Sequence, residues 1–157
     1  MDEIKFYHTG EEYGCFSNFS AHPITVGGKR WPTSEHYFQA QKFAGTHHED
    51  AVRRAASPMI AARMGRDRSR PLRKDWERVK DSVMLEAVRA KFRQHDDICA
   101  VLIGTGDAML IEHTENDSYW GDGGNGRGRN MLGQILMRVR AELMGDLRNS
   151  EAAGGTK

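Results

Sequence analysis

Apolar positions along this chain change their period several times, and each change marks an element. Ile4 and Phe6 alternate with polar neighbours over residues 4–8, as in a short strand. Ile24 and Val26 repeat the alternation within 23–31, where Gly27 and Gly28 supply the turn of a hairpin. From residue 33 the period is helical. Thr33 is placed to cap a helix running to Ala44, with Glu35 in its first turn. A short helix is expected over 47–56, and another over 57–65, which opens with Ser57-Pro58 and closes on Gly65. Asp75 heads the longest helix, about 76–94, whose buried face is marked by Val79, Val83, Val88 and Phe92. Residues 97–103 form a further apolar helical piece, and 108–111 a short buried strand. Leu132, Ile135, Leu136, Val139 and Leu143 make one stripe of a last helix.

This order of elements predicts an α+β fold: one mostly helical domain over 1–146 with a few short β-strands. No repeat or interdomain linker interrupts it, and 147–157 lacks a core pattern and reads as a disordered tail. A chain of 157 residues can bury one real core, and 38% hydrophobic with 29% charged residues suits a globular protein. The net charge of +1 supplies no global field, so neither a membrane nor a stable nucleic-acid complex is expected. No basic-then-apolar leader opens the chain, and no apolar run approaches a bilayer's thickness. Cys15 and Cys99, in no metal-type spacing, point to free thiols and a reducing, cytoplasmic setting.

Three segments carry candidate chemistry. On the helix at 33–44, Glu35, Gln39 and Lys42 follow i, i+4, i+7 and fall within about 60° of one another. They are either a solvated polar stripe or the lining of a cleft. A helix N-terminus lowers a carboxylate pKa, which would suit Glu35 to act as a base or charge stabiliser. The segment 53–80 carries ten Arg/Lys against three Asp/Glu, including Arg63, Arg66, Arg68, Arg70, Arg73 and Lys74. It is either a solvated basic face or a cationic wall for phosphate. The third segment is 118–133, with five glycines between Trp120 and Asn130. Glycines let backbone N–H groups converge on an anion, and Asn130 is expected to cap the last helix. The spacing fits neither the Walker A nor the dinucleotide fingerprint. Acids flank the loop at Glu112, Glu115, Asp117 and Asp122, and Trp120 is placed to stack a base or sugar. His47, His48 and His113 lack the partners of a metal site, so none is expected. Cys15, beside Phe16 and Phe19, reads as packing.

Several runs together are more specific than any one of these signals. They are Phe-Tyr at 6–7, Phe-Ser-Asn-Phe at 16–19, Trp-Pro-Thr-Ser-Glu-His-Tyr-Phe-Gln-Ala-Gln-Lys-Phe at 31–43, Met-Gly-Arg at 64–66, Asp-Trp at 75–76, Lys-Phe at 91–92, Glu-His-Thr-Glu-Asn-Asp at 112–117, Trp-Gly-Asp-Gly-Gly at 120–124 and Asn-Met-Leu-Gly at 130–133. In this order they resemble the NADAR family, in particular its YbiA-type members, over about residues 4–144. The resemblance implies a compact α+β fold, cleavage of N-glycosidic bonds, and no metal or organic cofactor. YbiA-type members are linked to hydrolysis of early riboflavin-pathway intermediates, the ribosylamino-pyrimidine phosphates. Other members remove ADP-ribose from guanine in nucleic acid. Both substrates join ribose C1 to an exocyclic amine and carry phosphate on the sugar.

An oxocarbenium-like state at C1 calls for a carboxylate. Glu35 is the first choice for it, Asp122 the second and Asp117 the third. Lys42 neutralises the Glu35 carboxylate, binds phosphate, or attacks C1 of an opened ribosylamine as a neutral amine to give a Schiff base, which needs a depressed pKa. Gln39 is expected to contact the substrate, and Trp31, Trp76 and Trp120 to stack the base. Gly123, Gly124, Asn130 and Arg66 are expected to receive phosphate. Arg127 and Arg129 have no assigned role. A non-catalytic module that binds ADP-ribose or nucleotides would use the same loop and aromatic residues.

Overall fold

A computed structural model describes residues 2–154. Two small sheets and six helices make up the α+β fold. Strand β1 (Glu3–Phe6) pairs in parallel with β4 (Met109–Glu112), matching Phe6 to Glu112. Strands β2 (Ile24–Val26) and β3 (Lys29–Trp31) form the antiparallel hairpin. Its two-residue turn has φ of 63° at Gly27 and 77° at Gly28, the left-handed pair that lets the loop follow the strands' twist.

The helices are α1 (Ser34–Gln41), α2 (His47–Arg53), α3 (Pro58–Arg66), α4 (Trp76–Gln94), α5 (Asp96–Gly104) and α6 (Met131–Gly154). Helix α4 is the spine: Val83, Met84, Ala87, Val88 and Phe92 are buried along it, while Val79 is only partly covered at its edge. Helix α6 lays Leu132, Ile135, Leu136, Val139 and Leu143 into the same core. Arg89 on α4 clasps Glu142 on α6 through two bonds of 2.8 and 2.6 Å. Phe6, Phe16 and Phe92 tie β1 and the turn at 14–16 to the spine.

Helix α1 differs most from a simple amphipathic reading. Every residue from Ser34 to Ala40 is buried, because α2, α3 and α4 pack around it. Its polar groups therefore need partners inside the protein. Thr33 Oγ1 accepts from the backbone N–H of His36, the expected cap. The His36 ring meets Thr33 Oγ1 at 2.8 Å and the Ala55 carbonyl at 3.0 Å, and Ser34 donates to Asn18 Oδ1 at 2.9 Å. The solvated-stripe alternative for this helix is ruled out.

Two expected caps are used otherwise. The Asp75 carboxylate pairs with Arg73 at 2.6 and 3.0 Å and makes no side-chain cap. Asn130 sits at φ 52° and turns its side chain to β4, accepting from Glu112 N and donating to the Leu110 carbonyl, both at 2.9 Å. The stretch expected to be a tail from 147 instead continues α6 to Gly154, exposed but helical. Leu147, Arg148, Glu151 and two alanines have the propensity to extend a helix already anchored in the core. Residues 155–157 of that expectation lie outside the described residues. Among the described residues, no helix is long and apolar enough to cross a membrane.

Candidate active site

A cavity of about 810 Å³ opens where seven separate stretches of chain meet. Helix α1 contributes Glu35, Phe38 and Gln39, with Lys42 just past its end. Helix α3 supplies Arg66, and the start of α4 supplies Trp76 and Lys80. The loops leaving the carboxyl ends of β1 and β4 close the remaining side, with Tyr7–Thr9 from one and Glu112, Thr114 and Asp117 from the other. Parallel pairing of β1 with β4 puts those two loops side by side. Ser17–Phe19 complete the wall.

Burial decides the chemistry of the charged groups. Glu35, 8% exposed, has its pKa raised from 4.5 to about 6 by loss of water. The hydrogen bond from Gln39 Nε2 (3.3 Å) and the nearby Lys42 and Arg66 pull the other way, and Asp117 adds to the rise. The expected lowering by the helix N-terminus is thus outweighed by desolvation. Lys42 is lowered from 10.5 to about 8, first by burial and then by Arg68 and Arg66, against the pull of Glu35. Its Nζ donates to the Gly65 carbonyl at 3.3 Å and lies 5.9 and 5.8 Å from the ring centres of Phe38 and Trp76. Glu112 is raised furthest, to about 7, by burial and then by Asp117, Glu35 and Asp122. Two carboxyl groups and an amine, all shifted towards neutrality, share one cavity. Sites that move protons have this electrostatic character.

Trp76 and Trp120 both line the cavity, and each meets Phe38 edge-on with centroids 5.2 Å apart. Asp117 lies on the same wall, its Oδ1 accepting from the backbone of Tyr119 and Trp120 at 2.9 and 2.8 Å. Of the residues expected at the site, Glu35, Gln39, Lys42, Arg66, Trp76, Asp117 and Trp120 are therefore brought together.

The "NADAR domain" family model matches residues 5–144. The chain belongs to the NADAR family. It is 61% identical over 140 residues to the N-glycosidase YbiA of Escherichia coli K12, covering 89% of this chain and 88% of that protein. An N-glycosidase of Nostoc punctiforme is 49% identical over 145 residues, covering 89% and 92% of the two chains. A riboflavin biosynthesis protein of Vibrio vulnificus is 46% identical over 140 residues, but these are only 38% of its own length. The solution NMR structure of E. coli YbiA superimposes with a TM-score of 0.86 at 59% identity, covering 92% of this chain and 86% of that one.

Other expected site residues of this NADAR domain lie elsewhere. Trp31 is core: its ring meets Tyr37 edge-on at 5.2 Å, and its Nε1 donates to the Val26 carbonyl at 3.2 Å. Asp122 does not line the cavity. It is 4% exposed and accepts from the Thr114 and Gly124 backbones at 3.1 and 2.8 Å, with His113 Nδ1 2.8 Å away. Gly123 N–H is taken by the Asp117 carbonyl and Gly124 N–H by Asp122, so neither is offered to phosphate. The glycines serve self-packing instead. A Cβ at Gly124 would sit 2.5 Å from Glu115 Cγ, and one at Gly128 would sit 2.5 Å from Gly121 O. Together with Asn130, the loop is a latch that holds Glu112 and Trp120 in place.

Glu112 is a cavity residue to which the sequence gave no role. Its signal is positional: an acid immediately after the apolar strand 108–111, at the end where the loops gather. Tyr119, His8 and Thr9 gave no comparable signal, and Tyr7 only that of the Phe-Tyr run at 6–7. Among the described residues, no cluster of three or more His, Cys, Asp or Glu side chains could hold a metal ion.

Proposed function

We propose that this NADAR protein hydrolyses the ribosyl C–N bond of phosphorylated ribosylamino substrates, with early riboflavin-pathway intermediates as the main class and ADP-ribosylated guanine as a further one. It is an N-glycosidase, a hydrolase of N-glycosyl bonds, as are relatives alike over nearly the whole chain. The substrate class is supported by the riboflavin biosynthesis protein among those relatives and by the cationic residues at the cavity.

The observation that supports the mechanism is the pairing in one cavity of Lys42, lowered to about 8, with carboxyl groups raised to about 6 and about 7. Roughly a tenth of such a lysine is neutral at pH 7, far more than for a solvent-exposed one. In a ribosylamine the ring oxygen can open, leaving an imine at C1. The Lys42 amine adds to C1, and the C1–N bond to the base then breaks. The leaving nitrogen takes two protons and departs as a neutral amine. Glu112 gives one, and Glu35 passes on the one that the added Lys42 nitrogen loses, so the Schiff base stays protonated until its hydrolysis returns that proton to Glu112. The resulting lysine Schiff base is released by water as the sugar phosphate, regenerating the free amine. Trp76 and Trp120 hold the base against the cavity wall, and Arg66 faces the phosphate.

The test supplies a ribosylamino-pyrimidine 5′-phosphate and a guanine-ADP-ribosylated oligonucleotide in separate reactions. Release of free base or ADP-ribose is measured. Borohydride added during turnover is expected to trap a sugar adduct that Lys42→Ala lacks. Turnover without any adduct would leave direct attack by water, with Glu35 as base. Binding without release of either product would sink the enzyme and leave a binding module.

A further inference from the structure

The glycine-rich latch carries two arginine side chains to which the proposed reaction gives no role. Arg127 and Arg129 are exposed, and among the described residues neither guanidinium has a carboxylate partner. Both line a second, shallower cavity of about 390 Å³, together with Ser118, Tyr119 and Asn125. Among the described residues its lining carries two positive charges and no negative one.

The shelf is built rather than loose. Arg127 N donates to Asn125 Oδ1 at 2.9 Å, and Arg129 N donates to the Ser118 carbonyl at 2.8 Å. The Arg129 guanidinium lies 4.8 Å from the Tyr119 ring centre, and the Lys80 ammonium lies 3.9 Å from the same ring. Tyr119 is pinned in turn by its hydroxyl, which donates to Asp81 at 2.5 Å. Tyr119 lines both cavities, so the shelf adjoins the main cavity across one aromatic ring.

The main cavity already has its own cationic residue from another element, Arg66 on α3. A substrate bearing one phosphate needs only one such region. Two of them, carried by different elements and joined through Tyr119, suit a ligand with a second anionic group further along. We propose that the Tyr119–Arg127–Arg129 shelf is a second anion subsite, which takes a phosphoanhydride or phosphodiester of an extended ribosyl ligand while the main cavity holds the ribose. It rests on the proposed function only for what occupies the main cavity. The Arg129 guanidinium over the Tyr119 ring, with Arg127 on the same shelf, offers forked N–H donors that match phosphate oxygens, and a short sugar phosphate held in the main cavity would not reach them.

The experiment measures binding of three probes to the wild-type chain and to Arg127→Ala/Arg129→Ala. The probes are ADP-ribose (phosphoanhydride), a short unmodified single-stranded oligonucleotide (phosphodiester) and ribose 5-phosphate (a single phosphate). Circular dichroism checks the fold, and Arg127→Lys/Arg129→Lys separates charge from fork geometry. The double alanine variant is expected to weaken at least one of the first two probes by about tenfold or more, leaving ribose 5-phosphate unchanged. Which probe loses affinity identifies the anion. No change for any probe, an equal loss for ribose 5-phosphate, or a wild type that binds neither long probe would each overturn the subsite. Hydrolysis is read separately. If the wild type cleaves neither substrate class while the binding difference persists, the catalytic reading fails and the subsite stands.

Discussion

Glu35 and Glu112 are costly residues for this fold at the pH where they are useful. Both have folded-state pKa values raised above the ordinary 4.5, to about 6 and about 7. The stability each contributes is complete below 4.5 and is lost as pH rises through the folded value. At pH 8 each is a buried carboxylate held in its charged form. Glu35→Gln is therefore expected to raise the urea midpoint at pH 8, with little effect at pH 4, while lowering kcat by about a hundredfold or more. A variant that is both less active and less stable at pH 8 would contradict this. The rate itself should follow a bell. Lys42 must lose its proton near 8 and Glu112 must keep one near 7, so kcat/KM should peak at about pH 7.5. Glu112→Gln should remove the alkaline limb, and a profile unchanged by that substitution would remove Glu112 from the reaction.

Elements explain why some of the site was legible and some was not. Helix α1 could be read because capping and spacing are local: Thr33 caps it, and Glu35, Gln39 and Lys42 do share a cavity. Its complete burial could not be read, since that depends on α2, α3 and α4 closing around it. The glycine loop failed for the same reason. Its glycines signalled a tight backbone, but whether the N–H groups face a ligand or the chain itself is settled by distant partners such as Asp122 and Asp117. Asp122 lowers its own pKa through His113 and the Gly124 and Thr114 amides, despite burial that opposes them. Its contribution to stability is present above 3.8 and is lost as pH falls below it. Asp122→Ala should accordingly cost about 2–3 kcal/mol at pH 7, measured by urea unfolding, with the deficit shrinking towards pH 3. Where α1 meets α3 there is little room: a Cβ on Gly65 would sit 1.9 Å from Gln39 Oε1. Gly65→Ala is expected to push Gln39 off Glu35 and move the ionisation of Glu35 upward. Carboxylate chemical shifts followed by NMR would show whether it does.

At the scale of the whole molecule, the fold carries charge buried away from the cavity too. Lys91 is 1% exposed, its Nζ donates to the Ser17 carbonyl at 2.8 Å, and burial lowers its pKa from 10.5 to about 7. A depressed lysine contributes stability that is full above 10.5 and is lost as pH falls through about 7. Lys91→Met keeps the volume, and Ser17 O still accepts from Ser20 N at 3.1 Å. The variant should gain stability at pH 6 and flatten the rise seen in the wild type between pH 7 and 10. Equal pH slopes in the two proteins would mean that Lys91 is better solvated than its burial implies.

The main cavity belongs to no single element. Its walls come from segments near residues 7, 18, 38, 62, 80, 117 and 132. Anything that fills it therefore stitches remote parts of the sequence together and is felt by the entire cooperative unit. A ligand at a hundred times its Kd adds about 2.7 kcal/mol to such a unit, which raises Tm by roughly 5–10 °C at this chain length. Melting temperature thus becomes a reporter for what the cavity accepts, and it can sort a library of sugar phosphates without any enzymatic readout.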